Sequence, residues 1–211
     1  MFLQLYKSAF FTLSIFTTSI YTAYHICKSK KVDFINPEFN IDKERLFSYL
    51  FTISKNIIPV FATSTLMNYY FISRFDKSKH SFLQAMTNII LYTFVVEFCY
   101  YAYHRAIHTK GIYKPIHSKH HENVIVYPLD SLYFTSIDIM FYISCLHAPL
   151  FVIKMDWFEY FMALYFYVTM GFISHSSIYF THHVIHHKLF KYNFCLVFPY
   201  FDILFGTYHE K

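Results

Sequence analysis

The residues most able to do chemistry are histidines, fourteen in 211 residues. Ten of them fall in three groups: His104 and His108; His117, His120 and His121; and His175, His182, His183, His186 and His187. His25, His80, His147 and His209 stand alone. The spacings are H-x3-H, H-x2-H-H and H-x2-H-H again. On a helix, residues four apart share a face, so His104 and His108 can aim at one point. In H-x2-H-H, the first and second histidines share a face and the third, about 100° around, can reach a second point. One motif can therefore serve two metal ions. The numbers agree: a first-row metal takes about four to six ligands, and these three motifs already supply eight. Neutral imidazole suits iron, zinc, copper and nickel alike, so ligand type alone leaves the metal open.

The elements that must carry these ligands are helices in a bilayer. The chain is 55% hydrophobic and 23% aromatic, with only 15% charged residues, far from the composition of an average soluble domain. Five apolar stretches, 9–27, 56–73, 82–103, 131–153 and 157–178, approach the roughly 20 residues that a helix needs to cross a membrane. The expected fold is an all-α integral membrane protein of about five transmembrane helices, forming a single domain over 1–211. The apolar run 46–54 is expected as a separate interfacial helix, with Lys55 snorkelling beside the second span. With 28–55, 104–130 and 179–211 on one side, thirteen of the eighteen Lys and Arg lie there, which puts that side, and the histidine motifs, in the cytoplasm. The net charge of +5 is scattered without a basic run, which argues against a nucleic-acid partner. Cys27, Cys99, Cys145 and Cys195 form no C-x-x-C pair and are read as packed thiols.

Glu97 lies two helical turns before His104 within an apolar span, where an ionisable group is costly and marks a functional position. It is expected to accept the outer N–H of a ligand histidine. Asp130, Asp138 and Asp202 are weaker candidates for that role. Arg105 cannot ligate a metal and is assigned to a headgroup or a carboxylate.

The segments EFCYYAYHRAIHTKGIYKPIHSKHH (Glu97 to His121), ISHSSIYFTHHVIHH (Ile173 to His187) and YNFCLVFPYFDILFGTY (Tyr192 to Tyr208) resemble the fatty acid hydroxylase/sterol desaturase superfamily, over about 97–208. The resemblance lands on Glu97, His104, His108, His117, His120, His121, His183, His186, His187, Asn193 and Asp202, with His175 as a ninth ligand or a group supporting one, and His182 as a neighbour. It implies a membrane enzyme with a histidine-ligated di-iron centre that hydroxylates or desaturates a lipid with O2. Its electrons would come from a cytochrome b5, a ferredoxin or a similar donor with its reductase. Such an enzyme would sit in the endoplasmic reticulum membrane of a eukaryote or the inner membrane of a bacterium. Zinc could replace iron in a purified sample, but it has no redox chemistry.

Two departures stand out: Phe194-Cys195 occupies the family's Tyr-Gly step, and Phe201 its tryptophan. The missing glycine predicts a rearranged turn after Asn193. A metal-binding or metal-transport protein without oxygenase chemistry is the competing reading. Against transport, the histidines gather on one side of the membrane. Bis-histidine haem binding would leave the repeated H-x2-H-H unexplained.

Overall fold

The computed structural model describes residues 2–72, 74–75 and 79–210, all helix, turn and loop with no strand among them. Lys77 and Lys211, two cations in the charge count, lie outside the described residues. Among the described residues eight α-helices follow in order: α1 (Phe2–Ser29), α2 (Lys43–Phe71), α3 (Phe82–Ile107), α4 (Tyr113–Ile116), α5 (Ser136–His147), α6 (Trp157–Ile173), α7 (His182–Leu189) and α8 (Tyr200–Leu204). Side chains set the starts of the long ones. Asp42 accepts from the Arg45 amide (2.9 Å), Ser81 from that of Gln84 (3.3 Å) and Thr135 from that of Asp138 (3.3 Å). Asp156 and Glu159 exchange backbone bonds as a reciprocal cap on α6, satisfying amides that a helix end otherwise leaves open.

Among the described residues two helices, α2 and α3, are both long and apolar enough to cross a membrane. At 29 and 26 residues they extend about 44 and 39 Å. The run 46–54 is not a separate helix: it is continuous with 56–71 in α2, because no helix-stopping signal stands between them and Pro59 is tolerated inside. The Lys55 ammonium lies 4.2 Å from the Phe51 ring, one turn back along the same helix. The stretch 131–153 is broken as well. Thr135 starts α5 late, and Pro149 begins a 3-10 turn over Ala148–Phe151. What remains of α5 is 12 residues, about 18 Å.

Among the long helices α1 packs against α2, α2 against α5 and α3 against α5 in opposite directions, while α6 packs parallel to α1 and α3. The buried face of α1 is a stripe of mostly small residues, Ser8, Thr12, Ile15, Ser19, Ala23 and Cys27, which lets backbones approach closely in lipid; the Ser19 hydroxyl reaches the Tyr165 carbonyl at 3.3 Å. The outer face carries Phe2, Leu3, Tyr6, Phe10 and Tyr21 exposed. This alternation of direction brings the C-terminal ends of α1, α3 and α6 together with the N-terminal ends of α2 and α5. All three histidine motifs lie at that end.

Candidate metal centre

The motifs form two groups, each able to place its ring nitrogens within 4.8 Å of one another: His104, His108, His117, His121 and His186 in one, and His120, His175, His183 and His187 in the other. All nine sequence-predicted ligands are present. His182 belongs to neither group. The division within each H-x2-H-H differs from the expected one. His117 pairs with His121 and His183 with His187, while His120 and His186 cross to the opposite groups. At 100° per residue, a step of four comes back to within about 40° of its start and a step of three to within about 60°, so on α7 the outer pair converges and the middle histidine diverges.

The rings are fixed from behind. His104 Nδ1 lies 2.8 Å from the Phe194 carbonyl, His186 Nδ1 2.6 Å from that of Tyr192, His175 Nδ1 2.9 Å from that of Gly171, and His117 Nδ1 2.6 Å from Asp138 Oδ2. Each faces an acceptor, so each Nδ1 carries the proton and each Nε2 presents a lone pair. Yet His104 Nε2 and His117 Nε2 lie 3.0 Å apart. Two acceptors at that distance repel, unless a cation lies between them. The edges His117–His121, His108–His186, His121–His186 and His120–His187 are each 3.1 Å, and His120–His175 is 3.3 Å. Adjacent ligands at about 2.1 Å from one metal, at right angles, stand about 3.0 Å apart. The residues present therefore fit two metal ions.

Burial keeps these imidazoles neutral and ready to ligate. His108 is pushed down to about 3, by desolvation first and by His117 second. His120, His121, His186 and His187 are held well below the ordinary histidine range by burial and by one another. The Phe134 ring stacks on that of His120 at 3.9 Å. His120, His121 and His187 have no partner for Nδ1, so their orientation rests on packing and on whatever Nε2 binds.

Glu97 touches no histidine. Its carboxylate accepts the amides of Leu196 (2.9 Å), Val197 (3.0 Å) and Phe198 (3.1 Å) and the Tyr167 hydroxyl (3.1 Å). Two turns back it is about 10 Å from His104 along the axis, out of reach; it holds instead the loop whose Phe194 carbonyl orients His104. Asp202 does similar work from the other side, taking the amides of Phe194 (2.8 Å) and Cys195 (2.7 Å). Asn193 exchanges two 2.8 Å bonds with the His209 backbone. The left-handed residue is Asn193 itself (φ 60°), and Cys195 has no positive φ, so the absent glycine costs this turn nothing. Phe201 packs against Phe94 and Phe98 of α3. The role expected of Glu97 falls to Asp138, which the Tyr103 hydroxyl also contacts; the available signal was an ionisable residue inside the apolar run 131–153. Asp130 binds Asn123 and the Tyr127 amide. Arg105 donates to the Tyr101 hydroxyl at 2.6 Å and, among the described residues, not to a carboxylate.

A family model for fatty acid hydroxylase matches residues 89–207, more than half of the chain. The chain belongs to the fatty acid hydroxylase family. Among curated relatives, the very-long-chain aldehyde decarbonylase GL1-7 of Oryza sativa subsp. japonica is 28% identical over 147 residues, 58% of this chain and 23% of its own length. CER1 of Arabidopsis thaliana, also a very-long-chain aldehyde decarbonylase, is 25% identical over 148 residues, 58% of this chain and 23% of its own. GL1-11 of Oryza sativa subsp. japonica is 45% identical over 53 residues, 25% of this chain and 20% of its own. This fatty acid hydroxylase family member thus spans about a quarter of the length of the relatives it matches. No solved structure matches it.

Proposed function

We propose that the protein is a membrane-embedded di-iron oxidoreductase that modifies a lipid C–H bond with O2 and external electrons, by hydroxylation or desaturation. The observation that carries this reading is the crossing of neighbours: His120 and His121, and His186 and His187, feed different groups, a division that supports two neighbouring metal positions. Two iron ions there would supply the O2-dependent redox chemistry that an unactivated C–H bond requires. The chain's own part is to hold and to shield. Asp138 and the carbonyls of Phe194, Tyr192 and Gly171 keep the Nδ1 protons in place and the Nε2 lone pairs aimed inward. Phe134 and Phe190, the latter 4.7 Å from the His121 ring, wall the groups with apolar surface.

On this reading α1, α2, α3, the segment from α5 to Phe151, and α6 make five passes, and the histidine end faces the cytoplasm of an endoplasmic reticulum or bacterial inner membrane. The lysines there, Lys110, Lys114, Lys188 and Lys191, are exposed and suit an acidic electron donor such as a cytochrome b5 or ferredoxin, served by its reductase. Aldehyde decarbonylation is the second reading, favoured by the stretch shared with GL1-7 and CER1.

The deciding experiment is a comparative lipid mass profile of cells expressing the native chain or His120→Ala, with sterol, fatty acid and fatty aldehyde precursors supplied together with a donor and its reductase. A species gaining one oxygen or losing two hydrogens, only with the native chain, is expected. Loss of a fatty aldehyde with appearance of an alkane one carbon shorter would move the assignment to decarbonylation. Identical profiles, with both chains in the membrane and metal bound to the native one, would overturn the enzymatic reading.

A further inference from the structure

Midway along α2, Asn56 is a carboxamide amid Ile53, Ile57, Ile58 and Val60, and it is 2% exposed. Its Nδ2 donates to the Leu132 carbonyl at 3.0 Å and to that of Phe134 at 2.8 Å, and its Oδ1 accepts the Ser136 hydroxyl at 3.3 Å. The direction of the amide is fixed, because the reversed group would set its oxygen against two carbonyl oxygens. Both N–H groups are spent on one stretch of backbone, the non-helical link 133–135 that follows the 3-10 turn Pro128–Leu132 and precedes α5. Two turns earlier on the same face of α2, the Tyr49 ring stacks on that of Tyr133 at 4.9 Å. Thus α2 grips the link through both a ring and an amide.

What the link carries is Phe134. Its buried ring lies on that of His120, with centroids 3.9 Å apart and planes 6° from parallel. His104, His117, His175 and His186 are each held through Nδ1 by an acceptor. His120 Nδ1 has no partner among the described residues. An imidazole in that position can turn about its Cβ–Cγ bond without breaking a hydrogen bond at Nδ1, and the face of a parallel ring is what opposes the turn. The orientation of this ring matters to its neighbours, since His120 Nε2 meets those of His187 and His175 at 3.1 and 3.3 Å. Beside His121, by contrast, the Phe190 ring is tilted by 38° at 4.7 Å. The other end of the link is tied separately, by the Thr135 hydroxyl donating to the Ile116 carbonyl at 2.8 Å.

We propose that Asn56 and Phe134 are positioning residues for the group of His120, His175, His183 and His187. Asn56 holds the backbone of Phe134, and the Phe134 ring holds the plane of the His120 imidazole so that its Nε2 stays turned toward the other three histidines. Neither residue ligates. Asn56 lies outside 89–207, the stretch that the family model matches, so α2 adds a support of its own to the centre. The group of His104 takes its orientation from Asp138 and the carbonyls of Phe194 and Tyr192, and does not depend on this support. The proposal rests on the reading of the two histidine groups as metal positions and assigns to one of them what keeps it in shape.

The test titrates the full chain, stripped of metal in detergent, with cobalt(II), and uses His187→Ala to assign the absorption bands of the His175 group. Phe134→Leu, which fills much of the same space without an aromatic face, should weaken cobalt binding in those bands by about tenfold, the lower end of what losing an orienting partner does. Phe134→Tyr, which keeps the face, should recover most of it. Asn56→Leu, similar in size and at home in an apolar helix, should weaken the same bands. The double variant should bind no more weakly than Phe134→Leu alone, because both residues act through one ring. Bands of the His104 group should keep their native affinity throughout. Unchanged binding in Phe134→Leu, equal weakening of both groups, or additive losses in the double variant would overturn the proposal. The two Phe134 variants decide it even where Asn56→Leu does not fold. Native protein that binds two cobalt ions while the variants match it would sink the proposal alone, whereas native protein that binds fewer than two would remove the two-metal reading and the proposal together.

Discussion

Asp138 Oδ2 sits 2.6 Å from His117 Nδ1, with both side chains almost wholly buried. The carboxylate fixes the tautomer of a ring whose Nε2 meets those of His104 and His121. Replacing such a partner typically lowers metal affinity about 10–100-fold. Asp138→Asn is expected to fall in that range for one ion of two, leaving the group around His175 loaded. Metal content after graded chelation checks this, and equal loss from both groups would refute it.

Glu97 is predicted to act on stability first. Glu97→Ala leaves the amides of Leu196, Val197 and Phe198 without their acceptor, at about 1–3 kcal/mol for each buried group left unpaired, while the Tyr167 hydroxyl keeps the Thr93 carbonyl. A marked drop in thermal midpoint in detergent is expected, together with loss of the ion held by His104, whose orienting carbonyl belongs to the same loop. Glu97→Gln, which keeps an acceptor oxygen, should recover part of the midpoint.

The buried imidazoles make the metal end acid-labile. In the unfolded chain they take protons near pH 6.5, whereas in the folded protein His108 does so only at about 3 and His120, His121, His186 and His187 lie lower than the ordinary range. Depressed folded values mean that the unfolded state binds more protons in acid. Their contribution is therefore complete above about pH 6.5 and declines as the pH falls below it. Metal retention, which also requires unprotonated rings, should decline in the same window. Titration of bound metal and of the thermal midpoint from neutral to acid pH checks the direction; a protein more stable at pH 5 than at pH 7.5 would contradict it.

His186→Ala and His187→Ala change neighbouring residues but should empty different sites. Each is expected to retain one ion, with His186→Ala disturbing the group of His104 and His187→Ala that of His175. Spectra of cobalt-substituted protein should show the two variants losing different bands. Loss of the same band from both would show that the division into groups is wrong.

Much of the metal centre was legible because ligand chemistry leaves its mark as spacing. Eight histidines stand together as their intervals suggest, His175 joins them as the resemblance implies, and helical character follows from composition. Four features were not legible. The split within H-x2-H-H depends on the small angular difference between steps of three and four. Glu97 and Asp138 carry the same kind of signal, an acid in an apolar run, and only the position of the 194–198 loop assigns one to backbone amides and the other to a histidine. Segment 131–153 has the apolarity of a span, but Thr135 and Pro149 cut its helix short by local hydrogen bonding that a hydropathy reading does not register. The turn at Asn193 needs its left-handed residue one place earlier than the missing glycine suggests, which the asparagine itself accommodates.

Each histidine group draws on distant parts of the chain: His104 to His121 meet His186, and His120 meets His175, His183 and His187. A bound ion is thus a crosslink that closes a loop of more than fifty residues, and neither crosslink can form until the last histidine segment has been synthesised. On the ribosome, α1 to α6 must find their places without metal. Loading then follows the placement of α1 to α6, so a cell starved of metal should accumulate a helical precursor whose α7 end is open to protease.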